Sequence, residues 1–593
     1  MKLRILIACV VSLTAAGLMG AAPSDSSGLV VHEWGTFLAM NGSDGVSLDG
    51  MYHEEHALPS FVHARSRDQL RLPMSRLKGE TPVIYFYPRD VMKVKVEVDF
   101  PTGLWTQWYP QASTVSPGLV QAGSPPRTRD GRISWDVIVR PPAMKNNEPP
   151  VTGRDALWNF ARDVDAAYVY PDRPAGFVNT AATSASSEVE RFIFYRGLGE
   201  APLPLDVRLA NGRIAATTSE REGLQHLFIL RVENGRGAYS YRTALRPDQA
   251  LDEAIPSMDA SLPLDQFVGE VAAHVAKRLT DSGLYKPEAL AMVNTWKSSY
   301  FKTDGVRLLF VLPGSWTNRF IPMRIEPAPA ELVRVMVGRV ELLDTARETR
   351  AEEAIRNLAS PVASVRERAF VTLRSEGRYV EPIVRRALNT TTDEQVRTLS
   401  KRLLLTDFVT ELRTALTDAD TGERVNTEPV YLQAQLASLL REIGLTDEAR
   451  KEGESALAQL ARMRQPTMDD HLSRHMFRAL ARAHEGAGHD AEALNWYGKF
   501  VEFGSQFQQP RMCAGCHTTM GPRDMSFFRD WYAGQKFAEY AVKTGRAPRL
   551  IAAHEQTLSA APKNLASQLS LAYLLEATGE TKRAQEMWAN LNR

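Results

Sequence analysis

The sequence predicts a multidomain α+β protein, with a β-rich, sandwich-like domain over residues 28–345 followed by an all-α region of helical repeats. Three observations predict it. From residue 28 to about 345, apolar residues recur mostly at every second position, with turn signals between the runs. After about 346 the period becomes helical and stays so. Over roughly the last 165 residues a repeat appears, with Gly545 and Gly579 34 apart and other small positions lining up around the turn glycines.

In chain order, the first 22 residues read as an export signal. Lys2 and Arg4 supply a positive start, residues 5–19 are an apolar to weakly polar run, and Gly20, Ala21 and Ala22 are the small residues that a signal peptidase needs. An uncleaved anchor is the alternative, because the run is near the lower length limit for a span. No other stretch could cross a bilayer, so the mature chain is expected to carry no membrane span and to be periplasmic or secreted. Lys plus Arg number 71 and Asp plus Glu number 70, a net charge of +1. That balance leaves no cationic excess for a nucleic-acid backbone, and no nucleic-acid partner is expected.

In the β-rich part, Val94, Val96, Val98 and Phe100 alternate with Lys95, Glu97 and Asp99, the pattern of a strand with one wet face. Residues 133–139 and 192–195 read similarly. Asn211-Gly212 and Asn234-Gly235 each sit between β-prone runs as hairpin turns. Helical interruptions are expected at about 263–281 and 287–300, and a strand pair at 306–312 and 332–340 closes the region.

Over 346–408, four short apolar-periodic runs with little between them resemble the helix pairs of HEAT-type repeats. Over 428–593, the interval of 34 is that of the tetratricopeptide repeat. Four units align, marked by Leu436, Ala437, Gly444 and Ala449; Leu480, Ala481, Gly488, Ala493 and Tyr497; Phe537, Ala538, Gly545 and Pro562; and Leu571, Ala572, Gly579, Ala584 and Trp588. Small residues there let the two helices of a unit approach, and the glycine ends the first of them. Gly488 and Gly545 are 57 apart, one repeat plus 23, which places an insertion of about 23 residues at 508–530.

The chain has three cysteines, and the two beyond the signal, Cys513 and Cys516, both fall in that insertion. The segment reads Met512-Cys513-Ala514-Gly515-Cys516-His517. Two thiols separated by two residues can each add to a vinyl group of haem, and the following histidine can ligate the iron from the proximal side. This is the c-type attachment signature, so covalent haem c is the expected cofactor, with Cys513 and Cys516 as anchors and His517 as the iron ligand. A dithiol redox pair, a zinc site completed by histidines and a simple disulfide are the competing readings. For the sixth iron ligand, Met525 ranks first, eight residues past His517 and beyond the Gly521-Pro522 turn. His471, His475 and an open position are the alternatives.

A second cluster lies in the β-rich part: His32-Glu33-Trp34, then His53, Glu54, Glu55, His56 and His63. Histidines at such spacing can chelate a metal, whereas histidines beside tryptophan on strands more commonly pack or hydrogen-bond. No nucleophile elbow, phosphate loop, dinucleotide fingerprint or metalloprotease spacing is present, so enzymatic activity is left open.

The segments His32-Glu33-Trp34-Gly35-Thr36-Phe37, Leu58-Pro59-Ser60-Phe61-Val62-His63, Thr81-Pro82-Val83-Ile84-Tyr85-Phe86-Tyr87 and Glu288-Ala289-Leu290-Ala291-Met292-Val293 resemble those of a family of exported bacterial proteins. The resemblance covers roughly 28–345 and implies no activity. Residues 513–517 are similar to c-type cytochromes, but without an ordinary small cytochrome domain around them. The expected function is therefore that of an extracytoplasmic monohaem c-type cytochrome-like protein, in electron transfer or redox sensing within an assembly, with a redox partner and protein partners on the repeats. The alternative is a helical-repeat interaction scaffold without haem, bearing a β-rich binding domain.

Overall fold

The computed structural model describes residues 28–52, 58–64, 75–80, 82–116, 129–153, 156–172, 188–420, 428–468, 470, 473–506 and 532–591. Strands β1 (Val30–Asn41), β2 (His63–Ala64), β3 (Leu77–Gly79), β4 (Val83–Tyr87), β5 (Met92–Phe100) and β6 (Gly103–Tyr109) come first. They are followed by β7 (Thr114–Ser116), β8 (Gly131–Arg140), helix α1 (Trp158–Arg162), β9 (Tyr168–Pro171) and β10 (Ile193–Gly199). Next are β11 (Asp206–Ala210), β12 (Arg213–Thr217), β13 (Leu224–Glu233), β14 (Arg236–Leu245), β15 (Leu251–Ala254) and β16 (Leu262–Pro263). Helices α2 (Leu264–Asp281) and α3 (Lys286–Tyr300), β17 (Gly305–Val311), α4 (Gly314–Phe320), β18 (Met323–Glu326) and β19 (Glu331–Leu342) complete the β-rich part.

The strands form a large sheet in the order β16-β14-β13-β17-β19-β1-β3-β10-β6-β2, with β4 also joined to β1 and β10. At its centre β1 runs parallel to β19, in register from Val30↔Glu331 to Asn41↔Leu342. A second sheet, β18-β5-β8-β7 with β9 on β8, packs on one face of the first. There Val94, Val96 and Val98 meet Phe37, Trp105 and Tyr195 in one core. Burying each such valine contributes about 1.5–3 kcal/mol. The other face is covered by α2 and α3, which set Val271 and Met292 against Trp34, Phe228 and Val335. With both faces covered, β4 reads as an unbroken apolar run and β17 is apolar from Leu308 to Val311, whereas β5 keeps the alternation of a half-wet strand. Both Asn-Gly turns close hairpins, pairing Ala210 with Arg213 and Glu233 with Arg236.

The rest of the described chain is helical: α5 (Thr345–Asn357), α6 (Ala363–Glu376), α7 (Glu381–Thr390), α8 (Glu394–Asp420), α9 (Pro429–Glu442) and α10 (Thr446–Leu460). After these come α11 (Ser473–Ala487), α12 (Asp490–Gln506), α13 (Tyr532–Lys543), α14 (Ala547–Ala560), α15 (Leu565–Ala577) and α16 (Thr581–Leu591). Helix α8 runs past residue 408, where the HEAT-like segment is expected to close. Phe408, Val409, Leu412 and Ala415 continue its buried face, and neither glycine nor proline interrupts it. From α9 onward the helices form hairpins, α9 with α10, α11 with α12, α13 with α14 and α15 with α16, and each hairpin turns at a glycine with positive φ, 78° at Gly444, 85° at Gly488, 68° at Gly545 and 81° at Gly579.

The helical part is anchored to the large sheet by a buried ionic knot. Glu341 of β19 accepts from Arg339 Nη2 at 2.5 Å, Arg307 Nε at 3.2 Å and Tyr379 Oη at 2.5 Å, and Arg378 pairs with it at 3.1 Å. Burial opposes the charge on Glu341, yet the Arg307 and Arg339 cations prevail and hold its carboxyl below the usual range. Around the knot Leu38, Met40 and Met51 pack on Ala351, Leu358 and Leu373. No helix among the described residues is long and apolar enough to cross a membrane.

Candidate functional site

The haem-motif residues Cys513, Cys516 and His517 and the sixth-ligand candidate Met525 lie outside the described residues, as do His471, residues 53–57 and the expected signal. The structure describes the helices on either side of the motif segment, α11 and α12 before it and α13 after it.

In this helical core the buried Glu485 accepts from Tyr497 Oη at 2.5 Å, Ser438 Oγ at 2.8 Å and Tyr532 Oη at 3.3 Å, and Lys536 Nζ lies 3.0 Å away. Burial would raise its pKa, but the Lys536 cation and the hydroxyl donors outweigh that and hold it below the usual carboxylate range. Tyr532, the first described residue after the motif segment, is thereby fixed to α11 and α12, with its ring edge-on to Tyr497 at 5.9 Å.

Along α11, Arg474, Arg478 and Arg482 stand at four-residue intervals on one helix face. Arg482 is only 9% exposed, its Nε has no hydrogen-bond partner, and its guanidinium sits 5.3 Å from the Tyr532 ring. Arg478 is pulled down to about 9 by burial and then by the Arg482 and Arg474 cations. Arg474 reaches only the neutral His475 ring, with Nη2 3.3 Å from Nε2, and Tyr431 stacks on that ring at 6.0 Å. His475 is held near 3 by burial and by Arg478 and Arg474. Among the described residues none of the three arginines pairs with a carboxylate. Like charges four apart cost a helix about 0.2–0.5 kcal/mol per pair even in water.

In the β-rich part, the motif segments meet. His32 Nδ1 lies 2.8 Å from Glu288 Oε2, and the other oxygen of that carboxylate accepts from Tyr87 Oη at 2.7 Å. The backbone amide of Tyr285, at the start of α3, donates to Glu288 Oε2 at 2.7 Å. His32 and Glu288 are fully buried, and His32 Nε2 has no partner. Glu33 instead accepts from Arg334 Nε at 2.6 Å and from Tyr195 Oη. His63 Nε2 is 3.1 Å from Glu188 Oε1. Thus His32 and His63 each have their own glutamate, and among the described residues no group of three or more His, Cys, Asp or Glu could hold a metal.

Beside this network a cavity of about 360 Å³ opens between the sheet and α3, walled by Trp34, Phe61, Trp158, Phe192, Trp296 and Tyr300. Glu80 and Arg196 also line it, joined through Arg196 Nε donating to the Glu80 carbonyl at 2.7 Å. The buried Trp296 Nε1 has no partner. Three of its walls come from the resembling segments: Trp34, Phe61 with Leu58, and Val83. Sequence reasoning missed this cavity and the arginine row. The row was visible as three arginines at four-residue spacing.

No family model and no curated protein matches the chain.

Proposed function

We propose that the chain is an extracytoplasmic monohaem c-type cytochrome-like protein that transfers electrons or senses redox state within a protein assembly. One observation carries the reading: Cys513-Ala514-Gly515-Cys516-His517 lies in an insertion of a helical repeat region, on a chain that carries an export-type segment. The two thiols would add across the haem vinyl groups, forming two thioether bonds, and His517 would ligate the iron, with Met525 the first candidate opposite it. Bound haem supplies a one-electron couple at the iron.

The surrounding residues suit such a group. Phe500, Phe503 and Tyr532 are almost wholly buried on the helices that flank the motif segment, and the orphaned Arg482 Nε and its neighbours suit an anionic group with an apolar body. Helical repeat arrays commonly present a concave binding face, which a protein or redox partner would occupy here, and the β-rich part is read with the exported family that it resembles. The test is export from a host with haem-attachment machinery. A red protein heavier by one haem supports the reading, and a colourless protein of apoprotein mass refutes it.

The aromatic cavity favours a second reading, a haem-free scaffold whose β-rich domain binds a small ligand. That reading predicts the colourless product together with ligand binding.

A further inference from the structure

We infer that Arg474, Arg478 and Arg482 form the seat for the propionate carboxylates of the haem, an inference that rests on the covalent-haem reading above. A helix rises 1.5 Å per residue, so the three side chains are set along about 12 Å of α11. Arginine cannot escape burial by losing its proton under ordinary conditions, so a row of one buried and two half-buried guanidiniums that pairs with no carboxylate among the described residues calls for an anion. The depressed pKa of Arg478 and the unpartnered Nε of Arg482 are two separate marks of that missing charge. A carboxylate matches the guanidinium fork in shape as well as in charge. Haem carries two such groups on one edge of an apolar ring.

The walls of the row have the same mixed character. Tyr532 lies against Arg482 at one end, and Tyr431 stacks on His475 beside Arg474 at the other. His517 precedes Tyr532 by 15 residues in the chain, within reach of the row at up to about 3.3 Å per residue. A row serving only the fold would find its carboxylates within the fold, as Arg307, Arg339 and Arg378 do at Glu341.

The test uses the full-length exported protein. In the holoprotein, R478Q should keep the covalent haem mass and lower the midpoint potential, because a lost cation favours the oxidised, less negative centre. R478K should lie between wild type and R478Q. In the haem-free C513A/C516A background the same R478Q change should raise the melting temperature, since it relieves repulsion that no haem is there to offset. A merely structural arginine would lower it. R474Q, on a less buried member of the row, repeats both measurements should R478Q fail to fold. Haem attached in every variant with potentials equal to wild type overturns this inference and leaves the haem reading standing. A wild-type protein that takes no haem overturns both.

Discussion

His32 Nδ1 and Glu288 Oε2 lie 2.8 Å apart, with neither side chain exposed, although 256 residues separate them in the chain. The contact joins the central strand β1 to the first turn of α3, and the same carboxylate also holds Tyr87 and the amide of Tyr285. Glu288→Ala would leave a buried histidine, a part-buried hydroxyl and a helix-end amide unpaired at once. The expected loss is about 3–5 kcal/mol, the range for breaking a buried pair. Urea unfolding of the variant checks it. A loss below about 1 kcal/mol would show that water replaces the carboxylate.

Glu485 links stability to pH. Its folded pKa is below the ordinary value of 4.5, so its contribution is complete above 4.5 and disappears as pH falls through the folded value. Glu485→Gln should remove that share. Between pH 5 and 3 the melting temperature of the variant should fall less steeply than that of wild type. At pH 7 it should start lower, because the buried Lys536 loses the carboxylate 3.0 Å away that offsets its burial. Parallel curves over this interval would refute the coupling.

How much of this was legible in the sequence depends on how local each constraint is. The turn glycines at 444, 488, 545 and 579 could be read directly, because a left-handed backbone at a helix end is a requirement on one residue. The alternation of Val94, Val96 and Val98 was likewise local. The pairing of His32 with Glu288 was not legible. It needs the parallel register of β1 on β19 and the packing of α3 on the sheet, and periodicity carries neither. Trp158, Phe192 and Trp296 lie far apart in the chain, and only the fold brings them to a common cavity. Of the arginine row, the spacing could be read from the chain, but the lack of a paired carboxylate among the described residues could not.

The cavity in the β-rich part makes its own prediction. Its aromatic walls and the free Trp296 Nε1 suit a small flat apolar molecule with one hydrogen-bond acceptor, such as an aromatic ketone. Titration should change the tryptophan fluorescence, and a concentration of 100 Kd should stabilise the fold by about 2.7 kcal/mol. Ala156→Phe, at the cavity wall, should abolish both responses. Responses unchanged in Ala156→Phe would place the binding elsewhere.

Gly486 tests what holds the repeats at their spacing. It lies within α11, where replacement by alanine would on propensity alone gain about 1 kcal/mol. Here packing opposes propensity. A Cβ on Gly486 would run into the Cβ of Ala437 and lie 2.8 Å from its carbonyl carbon, so α9 and α11 would have to separate. Rigid backbone cannot give way as a side-chain tip can, and overpacking of this kind costs about 1–3 kcal/mol, occasionally more. Because α11 also carries Glu485 and the arginine row, the separation would be felt at Ser438 of α9, whose hydroxyl reaches Glu485 at 2.8 Å. Gly486→Ala is therefore expected to destabilise the helical half by about 1–2 kcal/mol net. Amide exchange should quicken in α9 and α11 first, while protection of the central strands β1 and β19 stays as in wild type. A variant more stable than wild type would show that propensity wins and that the two helices have room to part.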